Sequence, residues 1–271
     1  PGQGGAGSKA GLVRSLCPVG SVMSLESLTI SLPAPKPLKL GESALFLDLD
    51  GTLAPIVARP QDVAPDPRRT RLLERLMAGL DGRLAVITGR TLEDVDRILE
   101  ARVPCVSAIH GLVRRDADGS LYAPPLHPGV TPATRMLKAF AECDEGLIVE
   151  EKGASVALHF RQARSRAGEA RRLARRLARE TGLTLQEGDM VEELRPPGAT
   201  KGDGILAFME RAPFKGACPV FAGDDVTDEH GFEAVANLGG FGVLVGRPRS
   251  THARFGLRNV EDVLAWLEAA K

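Results

Sequence analysis

Aromatic residues are scarce in this chain, 4% of 271 residues, with a single Trp and a single Tyr. Proteins that hold single-stranded nucleic acid stack its bases on aromatic side chains, so this supply argues against such a role. Net charge is absent too: 35 Lys and Arg stand against 35 Asp and Glu, whereas a polyanion binder needs a basic excess. The only cysteines are Cys17, Cys105, Cys143 and Cys218, scattered without a Cys-x-x-Cys pair or a His spacing that would suggest zinc. They fit isolated reduced thiols in a cytoplasmic protein. No apolar run approaches the ~20 residues of a membrane span. Neither nucleic acid nor a membrane is expected as a partner; a small molecule is, with the chain acting as a monomer.

What remains is a composition with 43% hydrophobic and 26% charged residues, ordinary for a soluble globular protein. The length allows one large domain or two modest ones. The first forty residues differ from the rest: residues 1–11 are Gly-rich and Leu32-Pro-Ala-Pro-Lys-Pro-Leu38 is Pro-rich. Pro1 cannot be an initiator, which points to an upstream or appended extension with Met23 as a natural start. The apolar patch at residues 12–23 is broken by Arg14 and Pro18 and lacks a signal-peptide core. Residues 1–40 are therefore expected to form a flexible arm outside the fold.

From Ala44 onward, short all-apolar runs end in polar residues. Ala44-Leu-Phe-Leu47 stops at Asp48, Leu84-Ala-Val-Ile87 at Thr88-Gly-Arg90, and residues 103–109 at His110-Gly111. Helical stripes separate them: Leu72, Leu73, Leu76, Met77 and Leu80, then Val95, Ile98 and Leu99 behind a Thr91/Asp94 capping box. This alternation predicts an α/β fold with a parallel sheet buried on both faces. Between residues 113 and 194 the rhythm changes. Ser155-Val-Ala-Leu-His-Phe160 and Met190-Val-Glu-Glu-Leu194 alternate, as strands with one wet face do, around a basic helix at residues 166–180. The arginines of that helix are read as a solvated face in preference to a phosphate patch. The first rhythm returns with a helix at 202–211, the run Pro219-Val-Phe-Ala222, a helix near 229–236, the run Gly242-Val-Leu-Val245 and an amphipathic end. The expected organisation is a core of residues 41–112 and 195–271 with a smaller α+β insert at 113–194.

Loops leaving the carboxyl ends of parallel strands line the ligand crevice. Those loops carry Asp48 and Asp50, Thr88, His110, and Asp224, Asp225 and Asp228. Converging carboxylates repel and lose hydration, so such a site ordinarily contains a cation, and an oxygen-only donor set favours Mg2+ over zinc. A calcium loop at Asp48-Leu-Asp-Gly-Thr52 is excluded, because Leu53 stands where the loop needs Gly. Taken alone, that motif is equally well explained as a strand end with an Asp-Gly turn, Thr88 as a helix N-cap and Lys201 as a surface charge.

In order along the chain, Asp48-Leu-Asp-Gly-Thr52, Thr88-Gly-Arg90, Lys201 and Gly223-Asp-Asp-Val-Thr-Asp228 resemble the four motifs of the haloacid dehalogenase-like phosphatases. The resemblance implies a Rossmann-like core with a C2-type cap domain inserted at residues 113–194. It implies further that Asp48 is the nucleophile and Asp50 the acid and base. Mg2+ would be held by Asp48, the Asp50 carbonyl and Asp224, while Thr88 and Lys201 bind the phosphoryl oxygens. Asp225 and Asp228 would orient Lys201 and metal-bound water.

The insert carries Val149-Glu-Glu-Lys-Gly153, His159-Phe-Arg161 and Val191-Glu-Glu-Leu-Arg-Pro196. Together with His110-Gly111 these are similar to the trehalose-6-phosphate phosphatases. That likeness implies sugar contacts from Glu150, Lys152 and Glu193, with Arg90 and His110 also on the substrate. Glu150 is chosen over Glu151 because alternation puts it on the side of Lys152. Arg161 and His159 either support the site or are ordinary residues of a wet face. The implied reaction is Mg2+-dependent hydrolysis of trehalose 6-phosphate through an aspartyl phosphate, the last step of trehalose biosynthesis. The rivals are a phosphatase for sucrose, mannosylglycerate or hexose phosphates, a phosphomutase, and a non-catalytic sugar-phosphate sensor.

Overall fold

The computed structural model describes residues 1–2, 32–57 and 59–271; Cys17, Met23 and the apolar patch at 12–23 lie outside the described residues. Among the described residues twelve strands form two sheets. The larger is built from β1 (Ser43–Leu47), β2 (Leu84–Ile87), β3 (Cys105–Ala108), β4 (Val113–Arg115), β5 (Leu121–Tyr122), β10 (Cys218–Gly223), β11 (Phe241–Val245) and β12 (Phe255–Leu257), in the order β12-β11-β10-β1-β2-β3-β4-β5. From β12 to β3 every pairing is parallel; β4 and β5 add an antiparallel edge.

Alternate residues of the central strands enter two cores, as a sheet buried on both faces requires. Leu45, Leu47, Leu84, Val86, Val220 and Val243 pack with Leu73 and Leu76 of α1 (Pro67–Gly79), Val95 and Ile98 of α2 (Leu92–Ile98) and Val263 and Leu267 of α7 (Val260–Glu268). Phe46, Ile87, Phe221 and Leu244 pack with Ile205 and Phe208 of α5 (Lys201–Met209) and Phe232 and Val235 of α6 (Glu229–Asn237). Strand order reverses between β1 and β10, so a crevice opens at their carboxyl ends.

The smaller sheet is antiparallel, in the order β6 (Ile148–Glu151), β7 (Val156–His159), β9 (Val191–Arg195), β8 (Thr184–Gly188). Val156, Leu158 and Leu194 face a core closed by Val130, Ala133 and Leu137 of α3 (Val130–Ala141) and Ala170 and Leu177 of α4 (Ala167–Thr181). Three of the five arginines of α4 are answered locally: Arg175 by Glu187 at 2.8 Å, Arg176 by Glu180 at 3.8 Å and Arg171 by Glu192 at 3.4 Å.

Two expectations change. Residues 113–122 were assigned to the insert, yet β4 and β5 extend the large sheet, because the turn at His110-Gly111 sends the chain back along β3. Leu32 to Leu40 was set aside as part of an arm, yet it is bound to the core. Its prolines donate nothing, but Pro33 O accepts from Gly256 N at 3.0 Å and Lys36 O from Trp266 Nε1 at 2.8 Å. Leu38 is buried, and its carbonyl accepts from Lys271 N at 3.0 Å. Cys105, Cys143 and Cys218 are free thiols, and burial pushes that of Cys105 up to about 12. Among the described residues no helix is long and apolar enough to cross a membrane.

Candidate active site

The cleft floor lies where β1 and β10 end side by side. Asp48 N donates to Ala222 O at 2.9 Å, which brings the residues after β1 next to Asp224 despite their distance in sequence. Gly51 turns the chain just after Asp50: its φ is +81°, and a Cβ there would run into the Asp224 carboxylate. Lys201 opens α5, whose N-cap Thr200 forms a capping box with Asp203. From that fixed position its Nζ lies 3.0 Å from Asp48 Oδ1 and donates to Asp228 Oδ1 at 2.7 Å. Lys201, Asp48 and Asp228 are 3%, 4% and 0% exposed. One carboxylate oxygen from each of Asp48, Asp224 and Asp228 lies within 4.8 Å of the others.

Three buried or half-buried carboxylates thus share one ammonium. Burial raises Asp48 well above the usual carboxylate range; Lys201 opposes the shift, while Asp228, Asp224 and Asp50 add to it. Burial and the Asp228 charge push Asp224 up to about 7. Burial works against the charge of Lys201, but Asp228 and Asp48 outweigh it and hold the amine above its ordinary value. The cluster is short of positive charge, and every donor it offers is an oxygen.

Thr88 leaves β2 on the flank. Its Oγ1 accepts from Arg90 N at 3.2 Å, leaving the hydroxyl proton for another partner. The N-cap of α2 is Thr91, not Thr88. Arg90 was expected on the substrate, but the structure places it on Asp50: Nε donates to Oδ2 at 2.6 Å, Nη2 to Oδ1 at 2.7 Å, and Nη1 to Pro60 O at 2.8 Å. Burial disfavours the Arg90 charge, yet the bonds to Asp50 raise its pKa overall. This fork fixes the plane of the Asp50 carboxylate and leaves each oxygen a further lone pair.

The wet face of the small sheet forms the roof. Glu150 and Glu193 line the cleft, while their neighbours point away, Glu151 to Lys138 and Glu192 to Arg171. In both Glu-Glu pairs, strand alternation decides which carboxylate enters the site. Glu193 receives Lys152 Nζ at 2.7 Å and Ser155 Oγ at 2.7 Å, with His110 Nε2 at 3.5 Å. Burial would raise the Glu193 carboxyl, but Lys152 and then His110 hold it far below its ordinary value. Lys152 also donates to Gly89 O at 2.9 Å, joining roof to flank. Glu150 lies 2.7 Å from His159 Nε2; burial would raise its pKa, but His159 and Lys152 lower it.

His110 reaches the roof through a left-handed turn, with φ +54° and Ile109 at +48°. Two such non-glycine residues cost about 1–3 kcal/mol each. A Cβ on Gly89 would occupy the place of the His110 ring. Burial lowers the pKa of His110 although Glu193 opposes it.

All twelve residues singled out in the sequence come together except in detail. Asp228 sits behind Lys201 rather than on the cleft wall, and the Asp225 carboxylate accepts from Val226 N at 2.6 Å instead of turning to Lys201. Sequence reasoning missed Ser155 and Gln186, whose amide nitrogen lies 2.8 Å from His110 Nε2. Parity within β8 and β9 is the signal that could have found Gln186, since it stands opposite Glu193.

A family profile described as trehalose-phosphatase matches residues 46–258. The chain is 38% identical over 227 residues to the trehalose-6-phosphate phosphatase of Escherichia coli (strain K12), covering 83% of this chain and 85% of that protein. It is similar to a solved trehalose-6-phosphate phosphatase related protein, with a TM-score of 0.70 at 27% identity over 83% of this chain and 95% of the other. A haloacid dehalogenase-like hydrolase from Bacteroides thetaiotaomicron shares the fold, with a TM-score of 0.60 at 15% identity over 84% and 98% of the two chains. On a haloacid dehalogenase-like α/β fold, with likeness running over most of its length, this chain belongs to the trehalose-phosphatase family.

Proposed function

We infer that the chain is a phosphoric monoester hydrolase that converts trehalose 6-phosphate to trehalose and phosphate. One observation carries this reading: the carboxylate cluster around Lys201 and the sugar-facing set Glu150, Lys152 and Glu193 line opposite walls of a single cleft. Carboxylates and an ammonium are strong, directional partners for the hydroxyls of a disaccharide.

Asp48 is the nucleophile. Its carboxylate attacks phosphorus, the bond from phosphorus to the sugar oxygen breaks, and an aspartyl phosphate remains. Asp50 protonates the departing sugar oxygen, then takes a proton from the water that hydrolyses the aspartyl phosphate. Arg90 holds Asp50 in place for both transfers, which is a positioning role. Lys201 and the Thr88 hydroxyl bind the phosphoryl oxygens as charge develops.

The cluster fits a divalent cation. Its donors are all oxygens, which suits Mg2+ better than zinc, and burial with mutual repulsion raises the carboxyls of Asp48 and Asp224 for want of countercharge. Asp48, Asp224 and the Asp50 carbonyl would hold the ion. Bound there, Mg2+ supplies the positive charge that lets an anionic carboxylate approach an anionic phosphate. The inserted module serves as a cap that selects the sugar and excludes water from the leaving-group side.

Asp48→Asn tests the reading. Phosphate release should be abolished while the melting temperature and circular dichroism stay close to those of the parent chain; turnover retained in the folded variant would refute Asp48 as nucleophile.

A further inference from the structure

The acidic loop after β10 has a neighbour that no motif marks. The segment between β11 and β12 brings Arg249 against the main chain of that loop. Arg249 Nη2 donates to Asp225 O at 2.7 Å and approaches Asp224 O at 3.3 Å. Its Nη1 is paired with Glu229, the first residue of α6. Glu229 is fixed in turn, accepting from Thr251 Oγ1 at 3.0 Å and from His252 N at 2.8 Å. The guanidinium therefore bridges the start of α6 and two successive peptide carbonyls, with its own partner tied to the same segment.

Asp224 needs such support. The hydrogen bond it receives from Thr52 Oγ1 is long, 3.4 Å, and too weak to aim the carboxylate. Beside its side-chain contact with Asp48, its direction depends on the main chain that carries it, and Arg249 holds that main chain. We propose that Arg249 is a positioning residue for the cation site, fixing the Asp224 and Asp225 peptides so that the Asp224 carboxylate faces Asp48. The proposal rests on the cation reading of the cluster given above. It acts through the planar fork of the side chain rather than through charge alone. A lysine at this position keeps the charge but offers one compact ammonium, which cannot serve Glu229 and two carbonyls at once.

The test uses the full chain and Mn2+ as a spin probe, with free Mn2+ counted by electron paramagnetic resonance in the absence of substrate. Arg249→Lys and Arg249→Gln should each weaken Mn2+ binding about tenfold, the low end for residues that orient metal ligands. The Mg2+ concentration for half-maximal phosphate release should rise by the same factor. At saturating Mg2+, kcat should return to within about twofold of the parent and KM for trehalose 6-phosphate should not change. Glu229→Gln, which leaves the guanidinium in place with a weaker partner, should give a smaller shift in the same direction and carries the test if Arg249→Gln does not fold. Parent-like Mn2+ affinity in the Arg249 variants overturns the proposal, as does parent-like affinity in Arg249→Lys alone, which would make charge sufficient. A parent chain that binds no Mn2+ overturns the cation reading and this proposal with it. The parent measurement therefore separates the two failures.

Discussion

Replacing Asp224 with Asn should stabilise the metal-free protein while ending its activity. In the unfolded chain this carboxyl ionises near its ordinary value of 3.8, but in the fold only near about 7, because burial and Asp228 resist its charge. Between those values the folded state binds the extra proton, so stability is full below about pH 4 and falls as pH climbs through about 7. About three pKa units at ~1.4 kcal/mol each set a ceiling of about 4 kcal/mol at pH 8. Asp224 is only partly buried, and screening at the cleft wall roughly halves that to about 2 kcal/mol. Asparagine keeps the shape without the titration. At ~2–4 °C per kcal/mol for a chain of this size, Asp224→Asn should melt about 4–8 °C above the parent at pH 8 in EDTA. At pH 4 the two should coincide. Saturating Mg2+ should raise the parent and not the variant, because only the parent has the full site. Calorimetry or a dye-monitored melt across pH 4–8 reads all three effects. A variant no more stable than the parent at pH 8 in EDTA would refute the electrostatic account of the cluster.

Arg90→Lys should lower kcat for trehalose 6-phosphate about tenfold or more with KM nearly constant, since one ammonium cannot reproduce the fork on Asp50; a raised KM with kcat intact would return Arg90 to the sugar. Glu150→Gln should raise KM for trehalose 6-phosphate about tenfold, the scale of a charged hydrogen bond, and leave p-nitrophenyl phosphate turnover unchanged. Equal losses on both substrates would count against a sugar contact. Lys152→Ala should go further, costing about 3–5 kcal/mol of stability by leaving Glu193 buried without its cation, and raising KM for trehalose 6-phosphate far more than it slows p-nitrophenyl phosphate. Urea unfolding gives the first number, and a variant as stable as the parent would show the Lys152–Glu193 pair to be dispensable.

The parts of the fold legible in the sequence are those where one local rule suffices. Ala44-Leu-Phe-Leu47 reads as a strand because burial on both faces removes every polar residue, and Asp48 marks its end. Glu150 was separable from Glu151 by parity alone. What escaped depends on contacts distant in sequence. Thr184–Gly188 is mostly polar, so its membership of the small sheet follows from pairing with β9, not from its own pattern. In Val130–Ala141 the helical stripe is obscured by Pro132, which the first turn tolerates. Leu32 to Leu40 looks like a linker, and its carbonyls find donors only after β12 and α7 have formed. Arg90 was visible in its motif, but its pairing with Asp50 is a matter of geometry that spacing does not encode. Arg249 had no motif at all.

The central claim is that a cation-dependent carboxylate site and a disaccharide-selecting roof act on one substrate. Phosphate release from trehalose 6-phosphate, measured beside sucrose 6-phosphate and glucose 6-phosphate with Mg2+ and with EDTA, tests it most directly. The account predicts kcat/KM for trehalose 6-phosphate about a hundredfold or more above the others, lost in EDTA and restored by Mg2+. Comparable turnover of all three substrates, or turnover undiminished in EDTA, would contradict it.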